Sequence, residues 1–204
     1  MARSSPRRHP PAPSSRAFHL AILRSIIPLV VTAVAWRALI AQDATSPVGI
    51  SISSPAFGND GPIPEEHTCS GPNTSPPLNW SELPVGTKSL VLIMDDPDAP
   101  DPAAPKTTWV HWVLYNIPPS ATGLPAGVSS RDLPAGTGQG LNDWKRTGYG
   151  GPCPPIGRHR YFHKLYALDT VFTDLGTPTK AALEKRMQGH VLGSAQLVGT
   201  YQRP

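Results

Sequence analysis

Three short segments hold the side chains able to bind an anion or move a proton. Asp95-Asp96-Pro97-Asp98-Ala99-Pro100 follows directly on an apolar run at residues 90–94. Carboxylates leaving a buried strand, with prolines fixing the backbone, form a rigid turn that aims its side chains. A lone acidic turn is more often simply solvated. Thr108-Trp109-Val110-His111-Trp112-Val113-Leu114-Tyr115 comes next, and strand alternation sets Trp109 and His111 on one face with Trp112 on the other. A histidine in such a strand is, by itself, an ordinary core residue. The third segment is Gly150-Gly151-Pro152-Cys153-Pro154-Pro155-Ile156-Gly157-Arg158-His159-Arg160-Tyr161. Alternation places His159 and Tyr161 together, with Arg160 opposite and His163 on the His159 side. The glycines allow backbone N–H groups to line an anion nest, although alone this is merely a loop.

A phosphate monoester suits such a set. Imidazoles with an ordinary pKa of about 6.5 serve as neutral donors or as cations. Tyr161 adds a hydroxyl donor, and amides near Gly151 add fixed N–H groups. Asp96 is placed to orient an imidazole by accepting its second N–H. Trp109 offers an apolar wall for the stem of a head group, and Asp98 ties the turn down.

The elements that must position these residues are mostly strands. Apolar runs at residues 48–52, 90–94, 110–117, 161–168 and 196–201 are each bounded by Pro, Gly, Asn or Asp. Runs of that length between turn residues are strand signals. The run at 90–94 is continuous, as expected of a strand covered on both faces. One segment reads as a helix, with Thr177 as cap, Pro178 in the first turn, Ala181, Ala182, Leu183, Glu184 and Met187 in the body, and Gly189 as the stop. Residues 118–140 read as ordered surface loop. The expectation is a mainly β single domain with one or two helices near its C-terminal end.

Taken in order, the D-P-D-A-P turn, the W-x-H strand and the G-x-H-R-Y strand resemble the phosphatidylethanolamine-binding family, and more narrowly its bacterial Raf kinase inhibitor-like branch. Thr68-Cys69-Ser70-Gly71, Ser75-Pro76-Pro77-Leu78-Asn79-Trp80, Tyr115-Asn116-Ile117-Pro118 and Leu165-Tyr166-Ala167-Leu168-Asp169 extend the likeness from about residue 48 to about residue 203. The resemblance implies two packed antiparallel sheets with a short C-terminal helical element. It implies a ligand pocket on Asp96, Asp98, Trp109, His111, Gly151, Pro152, His159 and Tyr161. No cofactor is expected, and no metal, because two His and two Asp here include no close-spaced pair resembling a structural zinc site. Three departures stand out: Ser70 where the bacterial pattern often has Asp, His163 where an aromatic residue is common, and Cys153 where eukaryotic relatives have proline.

Charge narrows the partners. The 204 residues carry a formal charge of +4, but six arginines (Arg3, Arg7, Arg8, Arg16, Arg24 and Arg37) fall within residues 1–41, which hold no acid. The remaining 12 basic residues face 14 acidic ones, so the body is slightly acidic and ill suited to nucleic acid. Residues 1–41 read as a signal peptide cleaved near Ala41: arginines, an uncharged apolar run at 25–36, then small residues. That run has 12 residues where a bilayer crossing needs roughly 20, so no stable membrane span is expected after cleavage. An uncleaved anchor is the alternative. Residues 42–47 are then a short linker, residues 48–204 the domain, and the destination periplasmic or secreted. Cys69 and Cys153 are compatible with one disulfide in an exported chain.

Three function classes remain. The leading one is a non-catalytic pocket for a small phosphorylated or anionic ligand, such as a phospholipid head group. A weak hydrolase using His111, His159 and a Cys153 thiol is the second. The third is an inhibitor of a protein target, kinase or protease, acting through the pocket rim, as the resemblance permits. A homodimer is likewise left open by the resemblance alone.

Overall fold

The computed structural model describes residues 49–204, so the expected leader, its cleavage site near Ala41 and the linker at 42–47 lie outside the described residues. In chain order the elements are β1 (Ser51–Ser53), β2 (Gly61–Pro62), a 3-10 turn (Glu65–His67), β3 (Leu78–Ser81), β4 (Ser89–Asp96), β5 (Trp109–Ile117), β6 (Gly123–Leu124), β7 (Gly138–Gln139), β8 (His159–Leu168), α1 (Lys180–Met187) and β9 (Val191–Tyr201). They form a three-stranded sheet, β1-β3-β6, and a six-stranded sheet, β2-β9-β8-β4-β5-β7. Neighbouring strands are antiparallel except for the short β2–β9 pair.

Strand β4 explains the layering. Leu90, Leu92 and Met94 pack with Ile52, Leu78, Trp80 and Leu124 of the small sheet. The alternate residues Val91 and Ile93 pack on the other face with Leu183 and Met187 of α1. A strand covered on both sides must be apolar throughout, and that is why its run is unbroken. The same alternation separates the two aspartates at its end. Asp95 points to the α1 side, where Lys164 Nζ lies at 2.8 Å and Lys180 Nζ at 2.5 Å. Asp96 points inward.

Two sequence expectations differ from the structure. Simple alternation would put Trp112 opposite His111, yet Trp112 packs in the inner core. The cause is a β-bulge: Met94 pairs with Trp112 and Asp95 with Val110, so His111 is an extra residue on β5. A bulge turns one side chain without losing the strand, and here it lets His111 and Trp112 both face inward. The helix is capped by Thr179 rather than Thr177, with Ala182 N donating to Thr179 Oγ1 at 3.3 Å. Leu141 bridges Thr179 and donates to Pro178 O, which holds residues 178–179 extended and delays the first turn. The loop at 118–140 contributes β6 and β7, two residues each.

Candidate functional site

The inner end of the large sheet opens into a cavity of about 320 Å³. Asp96 from the end of β4, Trp109 and His111 from the start of β5, and His159 from the start of β8 all line it. Cys153, Pro154 and Pro155 form one wall, and Trp144 closes another. No lysine or arginine is among the lining residues.

His111 is 2 % exposed. Its Nδ1 lies 2.6 Å from Gly150 O. A carbonyl can only accept, so Nδ1 carries the proton and Nε2 is left as an acceptor. Burial pushes the His111 pKa down to about 4, because an imidazolium is costly in an apolar wall. Across the neutral range this residue therefore presents a lone pair and no charge.

His159 is differently loaded. Its Nδ1 sits 2.7 Å from Asp96 Oδ2, and its Nε2 donates to Ile156 O at 3.0 Å. Asp96 Oδ1 accepts the Asp98 N–H at 2.8 Å. Burial raises the Asp96 pKa, against the opposing pull of the His159 and Asp98 hydrogen bonds. Both ring nitrogens of His159 are thus committed, and the pair presents its ring face and the spare carboxylate lone pairs to the cavity.

Four of the residues expected at the site stand behind it rather than in it. Asp98 makes a forked pair with Arg160, Nη2–Oδ1 at 2.7 Å and Nε–Oδ2 at 2.9 Å, and also accepts the Arg160 N–H. That guanidinium holds the Asp98 carboxyl below its ordinary value and pins the turn to β8. Tyr161 is fully buried beneath His111, ring centroids 5.2 Å apart and edge to face. Its hydroxyl faces no partner among the described residues, and burial raises its pKa. Gly151 cannot serve as an anion nest, since its N–H donates to Asn73 Oδ1 at 2.7 Å. A side chain there would collide with Asn73 Oδ1 and His67 O, which explains the glycine. Pro152 O accepts from Cys69 N, tying the loop down.

Cys69 and Cys153 form a disulfide with Cα atoms 5.3 Å apart. The expected thiol nucleophile at Cys153 is therefore absent, and the cysteine-based hydrolase reading falls with it. His163 shares the His159 face but belongs to the core, against Phe57 at 5.6 Å between centroids.

Sequence reasoning missed Trp144. Its ring is close to perpendicular to Trp109 at 5.4 Å and to His111 at 5.2 Å between centroids, and the Arg146 guanidinium lies 5.9 Å from its centre. Asn142 fixes it through an Asx turn, Oδ1 accepting from Trp144 N, while Asp143 Oδ2 anchors the loop on Val110 N. A tryptophan in a polar Asn-Asp loop is the signal that was available.

A profile for phosphatidylethanolamine-binding proteins matches residues 53–202. A UPF0098 protein of Methanothermobacter thermautotrophicus is 49% identical over 155 residues, covering 76% of this chain and 99% of that one. One from Pyrococcus horikoshii is 40% identical over 188 residues, covering 89% and 91%. Among solved structures, a phosphatidylethanolamine-binding protein homologue from Chlamydia trachomatis superimposes with a TM-score of 0.71 at 39% identity, covering 77% of this chain and 99% of that one. E. coli YbcL, described as a member of the mammalian family, gives a TM-score of 0.68 at 32% identity, covering 76% and 99%.

Proposed function

This chain belongs to the phosphatidylethanolamine-binding protein family, and from that premise we propose that its cavity is a non-catalytic site for a small phosphorylated or anionic head group, in an exported protein. The observation that carries the reading is the convergence of His111 with the Asp96–His159 pair on one apolar slot. Trp109, Trp144 and the Pro154-Pro155 wall take the ligand's stem, while polar contacts are confined to the floor.

The protonation of the floor decides which form of the ligand binds. His111 Nε2 is an acceptor, so a fully ionised phosphate would meet a lone pair with its own. A singly protonated phosphate instead donates its P–OH to Nε2 and leaves its charge towards the edges of the rings. Binding at high pH thus takes up one proton, either on the phosphate or on His111, whose ordinary value of 6.5 has been pushed to about 4 in the empty site. Affinity then rises as pH falls, by at most about tenfold per unit. Calorimetric titration with inorganic phosphate and with phosphorylethanolamine at pH 8, 7 and 6 should show this rise. A flat affinity across the series removes proton-linked anion binding from this site.

The export part of the proposal rests on the leader-like residues 1–41. A second reading, docking of a protein target at the rim, draws on Trp144, which lines the cavity and is 40% exposed, and on Ile156, which follows the lining Pro155 and is 57% exposed. The pocket reading is preferred because the titratable residues lie inside the slot and the rim contributes only apolar contact.

A further inference from the structure

The two site histidines are held by carbonyls from opposite ends of one loop, Gly150 O for His111 and Ile156 O for His159. The two ends are secured very differently. Gly150 N donates to His111 O, Gly151 N to Asn73 Oδ1, and Cys69 N to Pro152 O, so the first end is stitched by two backbone bonds and one to the Asn73 side chain. From Cys153 to Arg158 no backbone–backbone bond outside the strands is made among the described residues. That stretch is fixed by the bridge to Cys69, by Pro154 and Pro155, and by the His159–Ile156 contact itself. Both cysteines are exposed, and Cys153 also lines the cavity.

We infer that the Cys69–Cys153 bridge is a positioning device for the pocket: it seats Ile156 O on His159 Nε2 and holds the Cys153–Pro155 wall, and so makes His159 and the pocket sensitive to reduction. With the bridge intact, His159 Nε2 spends its proton on the loop. Once it is cut, the segment is anchored at one end only, the wall moves away, and Nε2 is released to water or ligand. His111 is insulated, since Gly150 and Gly151 keep their own ties to His111 O and Asn73 Oδ1 when the bridge is cut. His163, on the same strand, packs against Phe57 in the core and serves as a reference for the fold.

Reduction supplies a clean test. A dithiol such as dithiothreitol delivers the two electrons and two protons that split the S–S bond into two thiols, leaving as its own cyclic disulfide. Nitrogen-15 spectra of the histidine rings are compared in oxidised and reduced ligand-free protein, with a thiol count confirming reduction. A Cys69→Ser/Cys153→Ser variant repeats the comparison without reductant. The expected result is a changed, averaged His159 Nε2 signal, with His111 and His163 unmoved. All three moving together shows that the bridge holds the fold rather than the site, and none moving shows that it holds neither; both overturn the inference. The functional part rests on the pocket being a binding site: inorganic phosphate should bind about tenfold more weakly after reduction, as expected for losing a preorganised wall. Equal affinity in both states overturns it. Phosphate binding to neither sample refutes the ligand reading while the histidine signals still decide the positioning role.

Discussion

Stability towards urea falls as the pH is lowered from 6.5 to 4, and His163→Phe removes about half of that fall while raising stability at pH 7. His163 is fully buried, and neither ring nitrogen makes a well-formed hydrogen bond among the described residues, the backbones of Tyr161 and Leu197 offering only poorly aligned contacts. A neutral imidazole must still carry one N–H, so at least one donor is buried with incomplete pairing, at a cost of up to about 1–3 kcal/mol. Burial pushes its pKa down to about 4, and the same cause does the same to His111. The sign follows directly. Below the ordinary value of 6.5 the unfolded chain takes up a proton on each histidine, whereas the folded chain refuses until about 4. Stability is therefore lost through that window, at up to about 1.4 kcal/mol per pH unit for each group. Phenylalanine keeps the ring contact with Phe57, whose plane is tilted 48° to the imidazole, and it carries neither the poorly paired donor nor the titration. Equilibrium unfolding at pH 7 and pH 4.5 checks both claims. A variant with an unchanged slope, or one less stable at pH 7, would show that His163 has partners this packing does not reveal.

His163 also marks the limit of what the chain order alone discloses. Alternation along β8 puts it beside His159, but only the register against Met94 and Leu197 shows that it points into the core rather than the cavity. β4 was legible because its unbroken apolar run demands cover on both faces, and this parity also separates Asp95 from Asp96. Trp112 was not legible, because one extra residue at His111 shifts the side chains that follow on β5 until a second irregularity between Leu114 and Ile117 restores the parity, and nothing local announces a bulge. Tyr161 and Gly151 lie next to the cavity without lining it: a hydroxyl or an amide close to a slot is a free donor only if no neighbour claims or buries it. Asn73 claims the Gly151 N–H from 78 residues away, and no short-range pattern contains that contact. Trp144 lay in a loop without strand periodicity, so its facing towards Trp109 depends on the Asx turn at Asn142.

Asp96→Ala is expected to cost about 3 kcal/mol or more and to abolish phosphate binding, the range found when one partner of a buried pair is removed. The comparison with Asp98 shows why. By count of contacts Asp98 looks the more important, since it makes a forked pair with Arg160 and accepts a backbone N–H as well. The Arg160 side chain, however, is 56% exposed, and once its partner is gone it can turn to water. An exposed cation therefore loses little when unpaired. His159 has no such escape: it is fully buried, and its Nδ1 has no other partner. Removing the Asp96 carboxylate also strands the buried Asp98 N–H, so one truncation strips the partner from both that amide and His159 Nδ1 in the driest part of the site. Asp96→Asn should fall between, because the amide keeps the shape and one acceptor oxygen but not the charge. The predicted order of loss is Asp96→Ala, then Asp96→Asn, with Asp98→Ala the mildest. Urea midpoints for the three variants, with phosphate titrations alongside, decide it. If Asp98→Ala proves the most damaging, the turn is held by its outer ion pair, and the Asp96–His159 contact is a consequence of that turn rather than its cause.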